Sequence, residues 1–285
     1  MQNHEPIWFN KEKKEEVKSN KTESQDWKPY SIMVCTPVHS EVSIHYTQSL
    51  LELQKNCLHN KVKIQFQLMK SSLITQGRNM CVSAFLNSNM THMLFIDSDI
   101  AFNGQAAFRL IETGKELVSI PYPLKDMNWD KGIKMIQEGK IKTAKDLRNK
   151  AFYRYPFKVE DNNNIKVENG CIEVTHAPTG FMMIKRSVFE KMIEHYGKDY
   201  KIDQDQVMNG KNERLKNMYN FFDTMYIPEK RHYLGEDFAF CKRWKDIGGK
   251  CYAWINDYIS HIGEHQYTGR FVDELITNGK SDNLE

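Results

Sequence analysis

The chain has 285 residues, of which 40% are hydrophobic and 27% charged, and 40 basic against 37 acidic groups leave a formal charge of +3. That length supports one large domain or two small ones, and the composition is that of an ordinary globular protein. So slight a positive excess, with no basic stripe interleaved with aromatics, argues against a nucleic-acid interface, and no apolar run approaches the length of a membrane span.

Residues 1–28 are polar and dense in Lys and Glu, which predicts a flexible or loosely docked N-terminal arm without the apolar segment of a signal peptide. The ordered part is expected to open at Ser31–Thr36, a continuous apolar strand of the kind buried on both faces, ended by Pro37. Tyr46, Leu50, Leu53 and Cys57 then recur on one helical face, and Ile64, Phe66 and Leu68 alternate as in a strand. Cys81, Ala84 and Phe85 mark a helix opening at Gly77-Arg78-Asn79, which leads to the apolar run Met93–Ile96. Strand, helix, strand, helix, strand is the rhythm of a parallel sheet with crossover helices.

A helix from Gly104 to Thr113 and a strand at Leu117–Ile120 follow, and residues 125–170 then become rich in Lys and Asn, which predicts an insertion or mobile cover. Strands are expected at Ile172–Thr175 and Gly180–Ile184, and a helix follows through Val188, Phe189, Met192 and Tyr196. Residues 197–232 look irregular. Pattern returns with a helix from Glu236 to Gly248, a strand at Cys251–Ile255 and the segment Tyr258–Gly263, after which residues 271–285 read as tail. The six cysteines include no Cys-x-x-Cys pair and mostly sit in apolar runs, the pattern of small core residues in a reducing compartment. The expectation is one α/β domain over residues 29–270, cytoplasmic and touching a membrane at most peripherally.

Asp97-Ser98-Asp99 directly follows the apolar run, so two carboxylates reach the edge of the sheet where ligands bind in open α/β folds. Hard oxygen donors suit Mg²⁺ or Mn²⁺, although Asp and Ser are also ordinary turn residues. Glu236-Asp237 opens a predicted helix, whose unpaired N–H groups favour ionised carboxylates, with plain capping as the alternative. His261 follows a late strand and a short loop.

Taken in order, Thr36-Pro37, Gly77-Arg78-Asn79, Asp97-Ser98-Asp99, a Gly-bearing strand pair at 179–185, Glu236-Asp237 and His261-x-Gly263 resemble the metal-dependent glycosyltransferases of GT-A fold, in the family 2-like and mannan-polymerase-like branches. The likeness spans roughly residues 30 to 270. It implies a Rossmann-like, mostly parallel central sheet flanked by helices, and transfer of a sugar from a UDP- or GDP-linked donor to a hydroxyl of a glycan or glycoconjugate. It further implies Asp99 and His261 as ligands of Mn²⁺ or Mg²⁺, with Asp97 contacting the ion through water or lying nearer the donor ribose. Thr36, Pro37, His39, Arg78, Asn79, Asp97, Ser98 and Gly180 would then line the donor. Asp237, with Glu236 as alternate, would be the base of an inverting displacement, and Tyr122 or Trp129 could stack on a sugar face.

Two rivals stand beside this resemblance. A haloacid-dehalogenase-like phosphohydrolase also places Asp-x-Asp after an apolar strand, but usually has Thr or Val where this chain has Ala101, and nearer the start of the chain. A catalytically silent carbohydrate-binding protein of the same fold is the other.

Overall fold

The computed structural model of the chain describes residues 27–150, 153–160, 164–203, 205–208, 211–214, 216–263 and 267–277. The expected N-terminal arm, 1–28, lies outside the described residues except for Trp27 and Lys28. The chain enters the fold through β1 (Ser31–Val38), α1 (Ile44–His59), β2 (Lys63–Lys70), α2 (Ile74–Leu86) and β3 (His92–Ile96). After the Asp-x-Asp turn come β4 (Ile100–Phe102), α3 (Ala106–Glu112) and β5 (Leu117–Ser119). The segment expected as a cover holds α4 (Trp129–Gln137), α5 (Ala144–Lys150) and β6 (Val167–Glu168). Then follow β7 (Cys171–Val174), β8 (Phe181–Lys185) and α6 (Arg186–Tyr200). The stretch read as irregular forms two hairpins, β9 (Asp205–Met208) with β10 (Lys211–Arg214) and β11 (Met225–Ile227) with β12 (His232–Leu234). The chain ends in α7 (Glu236–Asp246), β13 (Cys251–Trp254), β14 (Ile259–His261), β15 (Tyr267–Gly269) and α8 (Phe271–Thr277).

Eight strands form the central sheet in the order β2-β1-β3-β8-β5-β13-β7-β6. Strands β2, β1 and β3 are mutually parallel, β8 runs against both β3 and β5, and β13 is parallel to β5. Strand β7 reverses beside β13 and β6 reverses again. Only β8 and β7 therefore oppose the common direction, and the sheet is mostly parallel as expected. Alternate residues of the buried strands feed two cores: Met33, Cys35 and Phe95 face one, Ile32, Val34 and Leu94 the other. Phe85 of α2, Phe189 of α6, Phe240 of α7 and Leu275 of α8 fill the first core, and Tyr46 and Leu53 of α1 with Leu110 of α3 fill the second. The fold is thus Rossmann-like α/β, with helices on both faces of the sheet.

Several boundaries differ from the expectation. Pro37 lies inside β1, because pairing with β3 stops at Cys35 while pairing with β2 runs on to Val38, so a residue that cannot donate has one neighbour left. Helix α2 starts at Ile74, which puts Arg78 and Asn79 in its second turn rather than at its opening. Phe271, Val272 and Leu275 of α8 are buried in the first core, so packed structure continues into the segment read as tail, whose residues 278–285 lie outside those described. All six cysteines are buried and unbridged. No helix among the described residues is long and apolar enough to cross a membrane.

Candidate functional site

Each residue of the Asp-x-Asp turn is tied to a different part of the chain through its backbone. The Asp97 amide donates to the Gly180 carbonyl at 3.0 Å, Ser43 N–H donates to Ser98 O at 2.9 Å, and Ile262 N–H donates to Asp99 O at 2.7 Å. Antiparallel pairing of β14 with β4 sets His261 opposite Ile100, one residue beyond Asp99. Two three-residue strands therefore deliver His261, remote in sequence, to the Asp-x-Asp turn.

There His261 Nε2 lies 3.3 Å from Asp99 Oδ2, and Lys125 Nζ lies 2.6 Å from the same oxygen. Burial pushes the Asp99 carboxyl up, but hydrogen bonds and charge from His261 and Lys125 outweigh it and hold the group below its ordinary value. The other imidazole nitrogen, Nδ1, is 3.1 Å from Pro123 O, an oxygen that can only accept, so Nδ1 carries a hydrogen. Nε2 then presents either a proton or a lone pair to a carboxylate, and the lone pair is acceptable only with a cation between the two groups. A carboxylate oxygen and an imidazole nitrogen so placed fit a divalent ion of the Mn²⁺ or Mg²⁺ kind, with further positions left to a ligand's oxygens and water. Among the described residues no third His, Cys, Asp or Glu joins them as a metal-holding group. Asp97, expected to contact the ion through water or to lie nearer the donor ribose, has one carboxylate oxygen bonded to α2.

The donor in α2 is Arg78, which is 3% exposed and bridges two carboxylates. Its Nη2 donates to Asp97 Oδ1 at 3.0 Å and its Nε to Glu236 Oε1 at 3.1 Å. Burial alone would lower the guanidinium pKa, and Asp97, Glu236 and Asp237 together more than reverse it, so the cation is fixed. Its Nη1 is buried with no hydrogen-bond partner among the described residues. Beside it, Asp237 is pushed up to about 6, by burial first and by the neighbouring Glu236 charge second, against the opposing pull of Arg78 and of the Phe238 N–H. Tyr122, 9% exposed, feels the charges of Asp97, Asp237 and Asp99 and meets the His261 ring edge-on at 5.0 Å. Asp97, Asp99, Asp237 and His261 thus lie around one buried tyrosine.

Other expected residues are placed differently. Thr36 is fully buried, with its hydroxyl bonded to the Tyr46 hydroxyl, while His39 is exposed in the bend after β1. Pro37 stands against α2, 3.3 Å from where a Cβ on Gly77 would lie. Asn79 is buried and both ends of its amide are engaged by residues 220–222: Nδ2 donates to Asn220 Oδ1 and Oδ1 accepts from Phe222 N–H, each at 2.9 Å. Ser98 contributes its backbone carbonyl to the Ser43 contact. At Gly180 a Cβ would lie 2.3 Å from Tyr122 Cε1, so the missing side chain makes room for that ring rather than for a sugar. Tyr122 is correspondingly too buried to offer a stacking face, whereas Trp129 at the start of α4 is 60% exposed. Lys125 belongs to no motif; its only trace in the sequence is its place just after Pro121-Tyr122-Pro123.

No family model and no curated protein matches the chain. Among solved structures it is similar to the protein A197 from STIV, with 16% identity, a TM-score of 0.42 and coverage of 82% of this chain and 86% of that one. It is also similar to a glycosyltransferase involved in the glycosylation of the major capsid of PBCV-1, with 9% identity, a TM-score of 0.30 and coverage of 59% and 67%. A UDP-glucose pyrophosphorylase complexed with UDP-glucose gives 9% identity, a TM-score of 0.35 and coverage of 87% and 95%. At such distances none assigns an activity, a donor or an acceptor to this chain.

Proposed function

We propose that this protein is a divalent-metal-dependent glycosyltransferase that moves a sugar from a UDP- or GDP-linked donor to a hydroxyl of a glycan or glycoconjugate, with inversion. The observation that carries the proposal is the meeting of Asp99 and His261, 3.3 Å apart just beyond the end of β3, with Arg78 joining the neighbouring Asp97 to Glu236 beside the half-buried Asp237. Asp99 and His261 would hold Mn²⁺ or Mg²⁺, which when bound neutralises the charge growing on a departing diphosphate. Arg78 keeps Asp97 and Glu236 in place through two charge-assisted bonds, and its unpartnered Nη1 is a donor for an oxygen of the bound nucleotide. Asp237 takes the proton from the incoming hydroxyl as its oxygen bonds to the anomeric carbon and the bond to the nucleoside diphosphate breaks. A base near pKa 6 is largely ionised at neutral pH and still basic enough to accept that proton.

Titration calorimetry of Mn²⁺ together with UDP or GDP tests the proposal on the whole protein. Wild type is expected to bind the pair, and Asp99→Asn or His261→Ala to lose at least about tenfold in affinity, the worth of roughly one ligand. Unchanged binding in Asp99→Asn would remove the metal assignment and the transfer chemistry with it.

A further inference from the structure

Between the β11–β12 hairpin and α7 lies a concavity, outside the cluster just described, with a volume of about 510 Å³. Lys158, Lys230, Lys242 and Lys245 line it together with His176 and His232, and Asp246 is the only acidic residue in the lining. Asp246 is bonded to Lys242 at 2.8 Å, and Glu160, on a side chain 87% exposed, reaches Lys245 at 3.5 Å. Among the described residues no carboxylate pairs with Lys158 or Lys230. The four lysines line one concavity. His176 is pushed down to about 4, by burial first and then by Lys158, Lys245, His232 and Lys242, so the imidazole is neutral and the lysines carry the positive charge of the lining. Like charges gathered in a concave wall raise the local concentration of anions, whereas a merely solvated face would spread them apart. Compact ammonium groups suit the several oxygens of a phosphate, and no arginine fork is present to favour a planar carboxylate.

The cavity adjoins the candidate base along the chain. Leu234 lines it, the His176 ring packs on Phe238 with centroids 4.8 Å apart, and Gly235, Glu236 and Asp237 lie between those two residues. We infer that this cavity seats a phosphate group carried by the acceptor, and so holds the acceptor with its hydroxyl within reach of Asp237. The acceptor assignment rests on the transferase reading above; the phosphate site itself does not.

Lys158 and Lys230 are exposed, and replacing both by Gln keeps the aliphatic stems and leaves the core untouched. Inorganic phosphate is the probe, titrated calorimetrically into the whole metal-free protein, with Lys55→Gln/Lys63→Gln as a control of equal charge change elsewhere on the surface. The double variant K158Q/K230Q is expected to bind phosphate about tenfold more weakly than wild type, with the control unchanged. Equal affinity in wild type and K158Q/K230Q, or an equal loss in the control, would overturn the site. Binding of Mn²⁺ with UDP or GDP is measured on the same samples and is expected to be the same in wild type and K158Q/K230Q. If wild type binds phosphate in the cavity but no metal–nucleotide pair, the transferase reading falls and takes the acceptor assignment with it. If the metal–nucleotide pair binds and phosphate does not, the cavity proposal alone is overturned.

Discussion

Partial burial and the neighbouring Glu236 carboxylate raise the pKa of Asp237, and stability should record this directly. Its folded value of about 6 lies above the ordinary 3.8, so the native state binds the proton more tightly than the unfolded chain. The resulting stabilisation is complete below the unfolded value and is lost as pH rises through the folded one. At neutral pH the ionised, buried group costs on the order of 3 kcal/mol at most, the shift converted at about 1.4 kcal/mol per unit. Asp237→Asn keeps an oxygen for the Phe238 N–H and removes the charge. It is therefore expected to be more stable than wild type at pH 7.5 by up to that amount in urea melts, with the gain shrinking towards pH 4, while transfer collapses. In wild type, kcat/KM should rise with pH through about 6 and then level off. An equal gain in stability at both pH values would show that Asp237 is not the strained carboxylate.

At the scale of the element, the approach of β8 to β3 fixes the site through Gly180. Its carbonyl receives the Asp97 amide, and the space a Cβ would need is filled by the Tyr122 ring, which stands edge-on to His261. Gly180→Ala should cost about 1–3 kcal/mol in urea unfolding, the usual penalty of forcing atoms into a filled core. It should also weaken Mn²⁺ binding by tilting His261. Tyr122→Ala combined with it should be markedly less than additive, and strict additivity would mean that the ring is not what the glycine accommodates. None of this was legible at residue 180, where the glycine reads as the opening of a strand and the ring that fills its space lies 58 residues away in sequence. The apolar strands around Val34 and Leu94, the helical faces through Leu53 and Phe240 and the strand at Ala253 were legible, because burial on a period of two or near four leaves a pattern in the residues themselves. Strands β4, β14 and β15 were not. They are three residues long, and their existence depends on pairing between segments far apart in sequence. The start of α2 is not marked in the sequence because Leu73, the capping residue, and Ile74, the first of the helix, are exposed apolar groups with no side-chain cap. Asp99, His261 and Asp237 could be named from their motifs. Lys125 could not, since nothing local distinguishes one lysine in a Lys-rich stretch from another.

At the scale of the molecule, the site draws on residues from Arg78 to His261, so its integrity depends on how the last part of the chain is held. Beyond His261 the chain returns through β15, which pairs with β14, and then through α8. The Val272 amide donates to the Ile255 carbonyl at 3.1 Å, tying α8 to the end of β13. Phe271 packs against Tyr155 and Phe157, and Leu275 is 2% exposed within the core that also holds Phe85, Phe189 and Phe240. A dangling tail and a packed final helix make opposite predictions for one substitution. Leu275→Ala in a tail changes stability by less than about 0.5 kcal/mol. In a core it removes buried methyl groups and leaves a cavity, at a cost of about 2–5 kcal/mol. The larger value is expected in urea or thermal unfolding, with a single cooperative transition because α8 shares its core with α2, α6 and α7. A loss within the smaller limit would detach residues 271–277 from the fold and leave β14, with His261, held by its pairing to β4 and β15 and by the bonds to Asp99 and Pro123.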